Sequence, residues 1–425
     1  MRSSHSIWLC VFLAGCSTQS AQSPVPANVS GADARTARAV HGEGQVDYAI
    51  VYAFQGVGGG DGISPEAGVS DVSGTLYGTT YNGTLLKNPG CTEGCGTVYA
   101  VNAATGQETV LHSFTAGTGD GVGPQAYPID VDGTLWGTTV FGGPGGAAGY
   151  GTVYAMNTSG QETFLYAFTG KPDGANPYAE LISDGTGNLY GTTQGGGTHG
   201  YGTVFKITTS GQESILHSFA GASAGDGAYP YGGLVFDKKG NLYGTTAEGG
   251  ANSGGTVFEV TPAGKEQTLY SFACGSDGCN PYAHLAYDGK TSFYGTTYTG
   301  GTNNYGTVFK ITRSGKEKVL YRFQGGNDGE NPYGGVTFDS KGDLYGTTRY
   351  GGDQGFQNNG GIVFKVTKSG KETILHHFSG DVQNQNYDGI NPVAGFCYDG
   401  QGHMFSTTVE GGSSSNGGSV FELTL

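Results

Sequence analysis

The stretch Asn188-Leu189-Tyr190-Gly191-Thr192-Thr193, followed after a glycine-rich loop by Gly202-Thr203-Val204-Phe205-Lys206-Ile207, decides the fold because it recurs along the chain. Gly-Thr-Thr begins at Gly78, Gly137, Gly191, Gly244, Gly295 and Gly346, and a degenerate copy stands at Ser406-Thr407-Thr408. Each copy follows an apolar–aromatic pair, from Leu76-Tyr77 to Met404-Phe405. Around each copy lie four strand-like pieces. In one unit they are a (179–182), b (188–193), c (202–207) and d (213–219). Asp184-Gly185-Thr186-Gly187 turns a into b, and Thr209-Ser210-Gly211-Gln212 turns c into d, with Gly supplying the positive φ that such turns need. Four short antiparallel strands per unit of about 50 residues, repeated in tandem, are the signature of a β-propeller.

The chain ends fix the number of blades. The first strand-like piece, Tyr48-Ala49-Ile50-Val51-Tyr52-Ala53-Phe54, aligns with piece d of the next unit, Glu108-Thr109-Val110-Leu111-His112-Ser113-Phe114. The last, Gly418-Ser419-Val420-Phe421-Glu422-Leu423, is a piece c with no d after it. Pairing the orphans gives seven complete four-stranded blades, an all-β ring closed by the N-terminal strand. Closure removes the exposed sheet edges that an open array would carry.

Composition agrees. Glycine contributes 83 of 425 residues and tyrosine 27, while charged residues are 13%. Such a chain reads as strands joined by tight turns, not as a disordered polyelectrolyte. The net charge of −15, with no basic stripe, excludes a nucleic-acid partner on electrostatic grounds.

The N-terminus reads as an export segment. Arg2 precedes an apolar run from Ile7 to Leu13, and Leu13-Ala14-Gly15-Cys16 resembles a bacterial lipobox. The expected organisation is a lipoprotein signal peptide (1–15), a lipidated Cys16 with a flexible tether (16–44), and the propeller (45–425). Ser17 after the cysteine resembles the outer-membrane sorting pattern, so the membrane is an expected partner through the anchor. The close pairs Cys91/Cys95 and Cys274/Cys279 suit disulfides in an exported protein better than zinc, because their spacings lack a matching second pair. Cys397 is expected as a buried, inert thiol.

Whole units, among them Leu242-Tyr243-Gly244-Thr245-Thr246, Gly306-Thr307-Val308-Phe309-Lys310-Ile311 and Asp328-Gly329-Glu330-Asn331-Pro332-Tyr333, resemble the GloVer tandem repeats of "choice-of-anchor" exported bacterial proteins. The resemblance spans nearly everything from Tyr48 to Leu425. It implies an exported, anchored repeat protein and assigns no catalytic residue.

Function is sought on the face carrying the d–a and b–c loops, which are long, where a–b and c–d turns are short. Asp-Gly recurs once per blade, at Asp61, Asp120, Asp173, Asp226, Asp277, Asp328 and Asp388. A ring of carboxylates holding Ca2+ is the sharper reading. The plainer one, that each Asp caps its turn with Gly in the left-handed region, is the expectation, and no cofactor is assigned. His112, His217 and His376 share a strand-d slot with Tyr166, Tyr270 and Tyr321, which reads as a packing slot.

Departures from the repeat are more informative. Strand a is innermost, so Tyr178, Tyr231, Tyr282 and Tyr333, after the Asn-Pro or Tyr-Pro step, should line the central mouth. Three residues past the proline, Glu180 and His284 stand where Gly233 and Gly335 stand in other blades. The b–c loops add Glu248, Arg349, Tyr350, Asp353 and Glu410. Tyrosines with a few charged groups suit a carbohydrate site, by stacking and hydrogen bonding. The expectation is a non-catalytic binding or scaffold module for a polysaccharide or protein. The alternative is a polysaccharide lyase or glycoside hydrolase using His284, Glu180 and Arg349, which requires those three to share one pocket.

Overall fold

A computed structural model describes residues 46–56, 59–83, 91–117, 119–352, 360–379 and 388–425. Asp353 and the export segment with Cys16 lie outside the described residues. The described chain forms seven four-stranded antiparallel blades. The closing blade pairs Asp47–Ala53 with Ser419–Thr424, so the N-terminal strand supplies the outermost strand d of blade 7 as expected. Among the described residues, no helix is long and apolar enough to cross a membrane.

In blade 3 the strands are a (Ile182–Ser183), b (Asn188–Thr193), c (Thr203–Thr208) and d (Glu213–Ser218). Strand a is shorter than the sequence pattern predicts. The carbonyl of Ala179 lies before the ladder begins and accepts from Thr138 Oγ1 of the preceding blade at 3.2 Å. Strands c and d shift register by a bulge in all seven blades, which adds local twist to the outer edge.

Two interactions repeat around the whole ring and explain the sequence words. The first Thr of each Gly-Thr-Thr donates its hydroxyl to a carbonyl at the start of the next blade: Thr79 to Ala126, Thr138 to Ala179, Thr192 to Gly232, Thr245 to Ala283, Thr296 to Gly334, Thr347 to Ala394, and Thr407 back to Ala67. The Phe ending each strand d packs on the strand-c aromatic of the next blade. Centroid separations run from 5.1 Å for Phe54–Tyr99 to 5.5 Å for Phe114–Tyr154. The Gly of Gly-Thr-Thr faces that aromatic. A Cβ on Gly78 would stand 2.3 Å from Tyr99 Oη.

Each d–a loop also pairs with the b–c loop of its own unit, for example Gly174-Ala175 with Gly195-Gly196 and Glu330 with Tyr350. The seven pairings hold both loop sets on one face of the ring. The disulfides Cys91–Cys95 and Cys274–Cys279 fall on these loops. Cys397 is buried, as expected.

The Asp of each Asp-Gly pair braces its loop against strand d. In every blade the Asp carboxylate accepts the backbone N–H at the end of strand d, as Asp226 does from Ala220 at 2.8 Å. The expected left-handed Gly requires correction. Gly62, Gly278, Gly329 and Gly389 have positive φ, but Gly121, Gly174 and Gly227 do not. What all seven share is contact with the second Thr of Gly-Thr-Thr. A Cβ on Gly121 would lie 2.3 Å from Thr139 Cγ2.

Candidate functional site

The residues after the recurring proline of each unit converge on the axis because strand a is innermost. They form two tiers around an open cavity of about 180 Å³ at the centre of the long-loop face. The first tier, one residue past the proline, reads Glu66, Gln125, Tyr178, Tyr231, Tyr282, Tyr333 and Val393 from blade 1 to blade 7. The second tier, two residues further, reads Gly68, Tyr127, Glu180, Gly233, His284, Gly335 and Gly395.

The four expected tyrosines form a continuous arc over blades 3 to 6. Centroid distances are 5.1 Å (Tyr178–Tyr231), 5.3 Å (Tyr231–Tyr282) and 5.2 Å (Tyr282–Tyr333). The first two contacts are tilted or edge-on, and the third is stacked. Tyr298 closes a triangle with Tyr282 and Tyr333 at 5.5 and 5.9 Å. Each ring buries part of its area on a neighbour and leaves the rest facing the cavity. Burial pushes the Tyr178 hydroxyl up to about 12, and burial also raises Tyr231, Tyr282, Tyr298 and Tyr333. These phenols are neutral hydrogen-bond donors, not bases.

Below the arc, Glu180 and His284 meet across blade 4, with Nδ1 3.4 Å from Oε1. Glycine makes the room. A Cβ on Gly233 would sit 2.2 Å from Glu180 Oε1, and one on Gly335 would sit 3.2 Å from His284 Nε2. Tyr127 stands on the other side of Glu180, and its hydroxyl is raised well above the usual phenol range by burial and by that carboxylate.

On the opposite wall Gln125 Nε2 donates to Glu66 Oε2. Burial raises the Glu66 carboxyl, and the Arg349 charge pulls it partly back. Arg349 also stacks on Tyr350, 5.2 Å from its centroid, and its Nε is buried without a hydrogen-bond partner.

Seven of the proposed site residues therefore line one cavity: the four tyrosines, Glu180, His284 and Arg349. Tyr350 backs Arg349 from outside the lining. Glu248 is exposed on its loop, and Glu410 holds Asn391 and Asn416, each at 3.3 Å; neither lines the cavity. The sequence reading missed Glu66, Gln125 and Tyr127, because it followed the Asn-Pro and Tyr-Pro words. Pro65 and Pro124 hold the same register without them, and counting from the proline alone would have found all three.

With seven such units in register and the ring closed, the repeat itself decides kinship. A family model, the Gloeobacter/Verrucomicrobia repeat, matches residues 40–235 and 211–421. The chain belongs to that family. No curated protein matches the chain. Among solved structures, this repeat protein is similar to an oligogalacturonate lyase from Vibrio parahaemolyticus, with 11% identity, 91% of this chain and 96% of that one covered, and a TM-score of 0.51. It is also similar to the Niastella koreensis GH74 enzyme (16% identity, 83% and 52% covered, TM-score 0.53). A third is a putative 6-phosphogluconolactonase from Bacteroides uniformis (14% identity, 79% and 89% covered, TM-score 0.51). At these identities the likeness is one of fold.

Proposed function

We propose that this repeat protein is an exported, lipid-anchored binding module, held at the outer membrane through Cys16, whose central mouth takes a polysaccharide chain. The observation that carries the reading is the tyrosine arc. Four neutral phenol rings border one cavity, and its walls also offer Gln125, Glu66, Glu180, His284 and Arg349 as hydrogen-bonding groups. Flat rings stack on sugar faces, and the polar groups choose among hydroxyls. The net charge of −15 disfavours a polyanionic chain at long range, so a neutral, hydroxyl-rich saccharide fits better.

A second reading has its own observation. Glu180, His284 and Arg349 line the same cavity, as a polysaccharide lyase or glycoside hydrolase would require. The fold neighbours include an oligogalacturonate lyase, and that is analogy of scaffold alone. A glycan-array screen of the ring, residues 45–425, with product release assayed on each hit, separates the readings. Binding without turnover supports the module. Turnover lost in His284→Ala replaces it with the enzyme, and an array without hits favours a protein partner.

A further inference from the structure

The outer rim carries chemistry that the mouth does not use. At six of the seven blade interfaces, the strand-d slot, the Asp of Asp-Gly and the Glu opening strand d of the next blade come together. Where the slot holds Tyr, its hydroxyl donates to the Asp: Tyr166 to Asp173 at 3.0 Å and Tyr270 to Asp277 at 2.9 Å. At two of these six interfaces the slot holds His, and the three side chains change character. His112, Asp120 and Glu162 form one cluster, and His217, Asp226 and Glu266 form another. In each, one nitrogen and two carboxylate oxygens lie within 4.8 Å of one another.

From this geometry we infer that His112–Asp120–Glu162 and His217–Asp226–Glu266 are two divalent transition-metal sites, with Zn2+ the best-fitting ion. In the first cluster His112 Nε2 lies 3.5 Å from Asp120 Oδ1 and 3.4 Å from Glu162 Oε2. That nitrogen is buried and makes no hydrogen bond, although two carboxylates face it. Donors about 2.0–2.2 Å from a tetrahedral zinc stand about 3.4 Å apart, so the spacing is that of ligands around an ion. The Asp is already oriented. Thr115 N and Oγ1 donate to Asp120 Oδ2 at 2.8 and 2.6 Å, and Gly121 N donates to Oδ1 at 2.8 Å. Such outer hydrogen bonds fix a ligating carboxylate.

The second cluster repeats the donor set and the support. Ala220 N donates to Asp226 Oδ2 at 2.8 Å and Gly227 N to Oδ1 at 2.6 Å. His217 Nε2 is closer to its Asp, at 3.0 Å from Oδ2, so the ion would displace a direct hydrogen bond there. A His ligand selects a borderline cation over Ca2+, which takes oxygen donors. The clusters are partly open, with side-chain exposures of 21%, 16% and 14% in the first, leaving a fourth position for water.

The third His slot is a built-in control. His376 faces Asp388 at 3.2 Å, but Tyr48 stacks on it at 3.9 Å where the other interfaces bring a Glu. The repeat also supplies the test substitution, since Tyr fills the same slot in four blades. The full-length, untagged protein, stripped of metal, is titrated calorimetrically with Zn2+. His112→Tyr and His217→Tyr should each remove one equivalent relative to wild type, and the double variant should remove two. His376→Tyr should remove none. All variants should unfold within a few degrees of the metal-free wild type. Zn2+ should raise the wild-type melting temperature more than it raises that of the double variant. Equal stoichiometry in wild type and double variant would overturn the inference. So would stabilisation by Ca2+ with none by Zn2+.

Discussion

Glu180 reaches over Gly233 to bring its Oε1 within 3.4 Å of His284 Nδ1, joining blades 3 and 5 across the blade between them. Neither residue could do this if blade 4 carried a side chain at the same level. A Cβ on Gly233 would meet the end of the Glu180 side chain at 2.2 Å, a flexible tip that can move aside without disturbing the backbone. Gly233→Ala should therefore displace Glu180 and leave the fold intact. Saccharide affinity is expected to fall about tenfold, or about 1.4 kcal/mol, with the melting temperature within a few degrees of wild type. Calorimetric titration and thermal unfolding of the one variant check both parts.

The threonine ring should contribute to stability blade by blade. Thr245 is 1% exposed and donates to Ala283 O at 2.8 Å. Thr245→Val keeps the volume and leaves that carbonyl unpaired, so a loss of about 1–3 kcal/mol is expected. Urea denaturation measures it. The same substitution at Thr312, a half-buried strand end whose hydroxyl pairs with Ser314 and accepts from Lys316 N, should cost less.

How much of this was legible in the sequence depends on the distance over which each residue acts. Blade number and closure were readable because Val51 and Phe54 sit in a local pattern shared with Leu111 and Phe114. The tyrosine arc was readable because Asn-Pro-Tyr and Tyr-Pro-Tyr mark its register. The Glu180–His284 contact was not, because the residues that permit it, Gly233 and Gly335, look like ordinary repeat glycines. Arg349 could be singled out as an outlier, but its companions Glu66 and Gln125 stand in units without the marker word. The His112–Glu162 approach joins adjacent blades 50 residues apart, and periodicity along one strand carries no information about it.

Ring closure itself gives a sharp expectation. Phe54 is fully buried and packs on Tyr99 at 5.1 Å, joining the closing strand to blade 1. Phe54→Ala should cost about 3–5 kcal/mol. Deleting residues 46–54 should expose the edge of the Ser419–Thr424 strand and produce association, visible by size-exclusion chromatography with light scattering.

Stability should also fall as pH rises. The Glu at the start of strand d lies beside the neighbouring Asp at each Tyr interface. Burial, then the Asp61 charge, pushes Glu108 up to about 8; burial and the neighbouring Asp push Glu213, Glu317 and Glu372 up to about 7. A carboxyl whose folded pKa is raised binds more protons folded than unfolded. Its contribution is fully present below about pH 4.5 and is lost as pH rises through the folded value. Wild-type stability should therefore decline from pH 5 to pH 9. Glu108→Gln should flatten that decline and be more stable than wild type at pH 9, by on the order of 1–3 kcal/mol. Urea midpoints at the two pH values test the sign.

The central claim is that the tyrosine arc binds a saccharide. The most direct test is calorimetric titration of an array-selected oligosaccharide into wild type and Tyr282→Ala, because Tyr282 touches both its arc neighbours and Tyr298. The account predicts binding by wild type, at least tenfold weaker binding by the variant, and no product in either cell. Equal affinity in the two proteins would contradict it, because the ligand would then be bound somewhere other than the mouth.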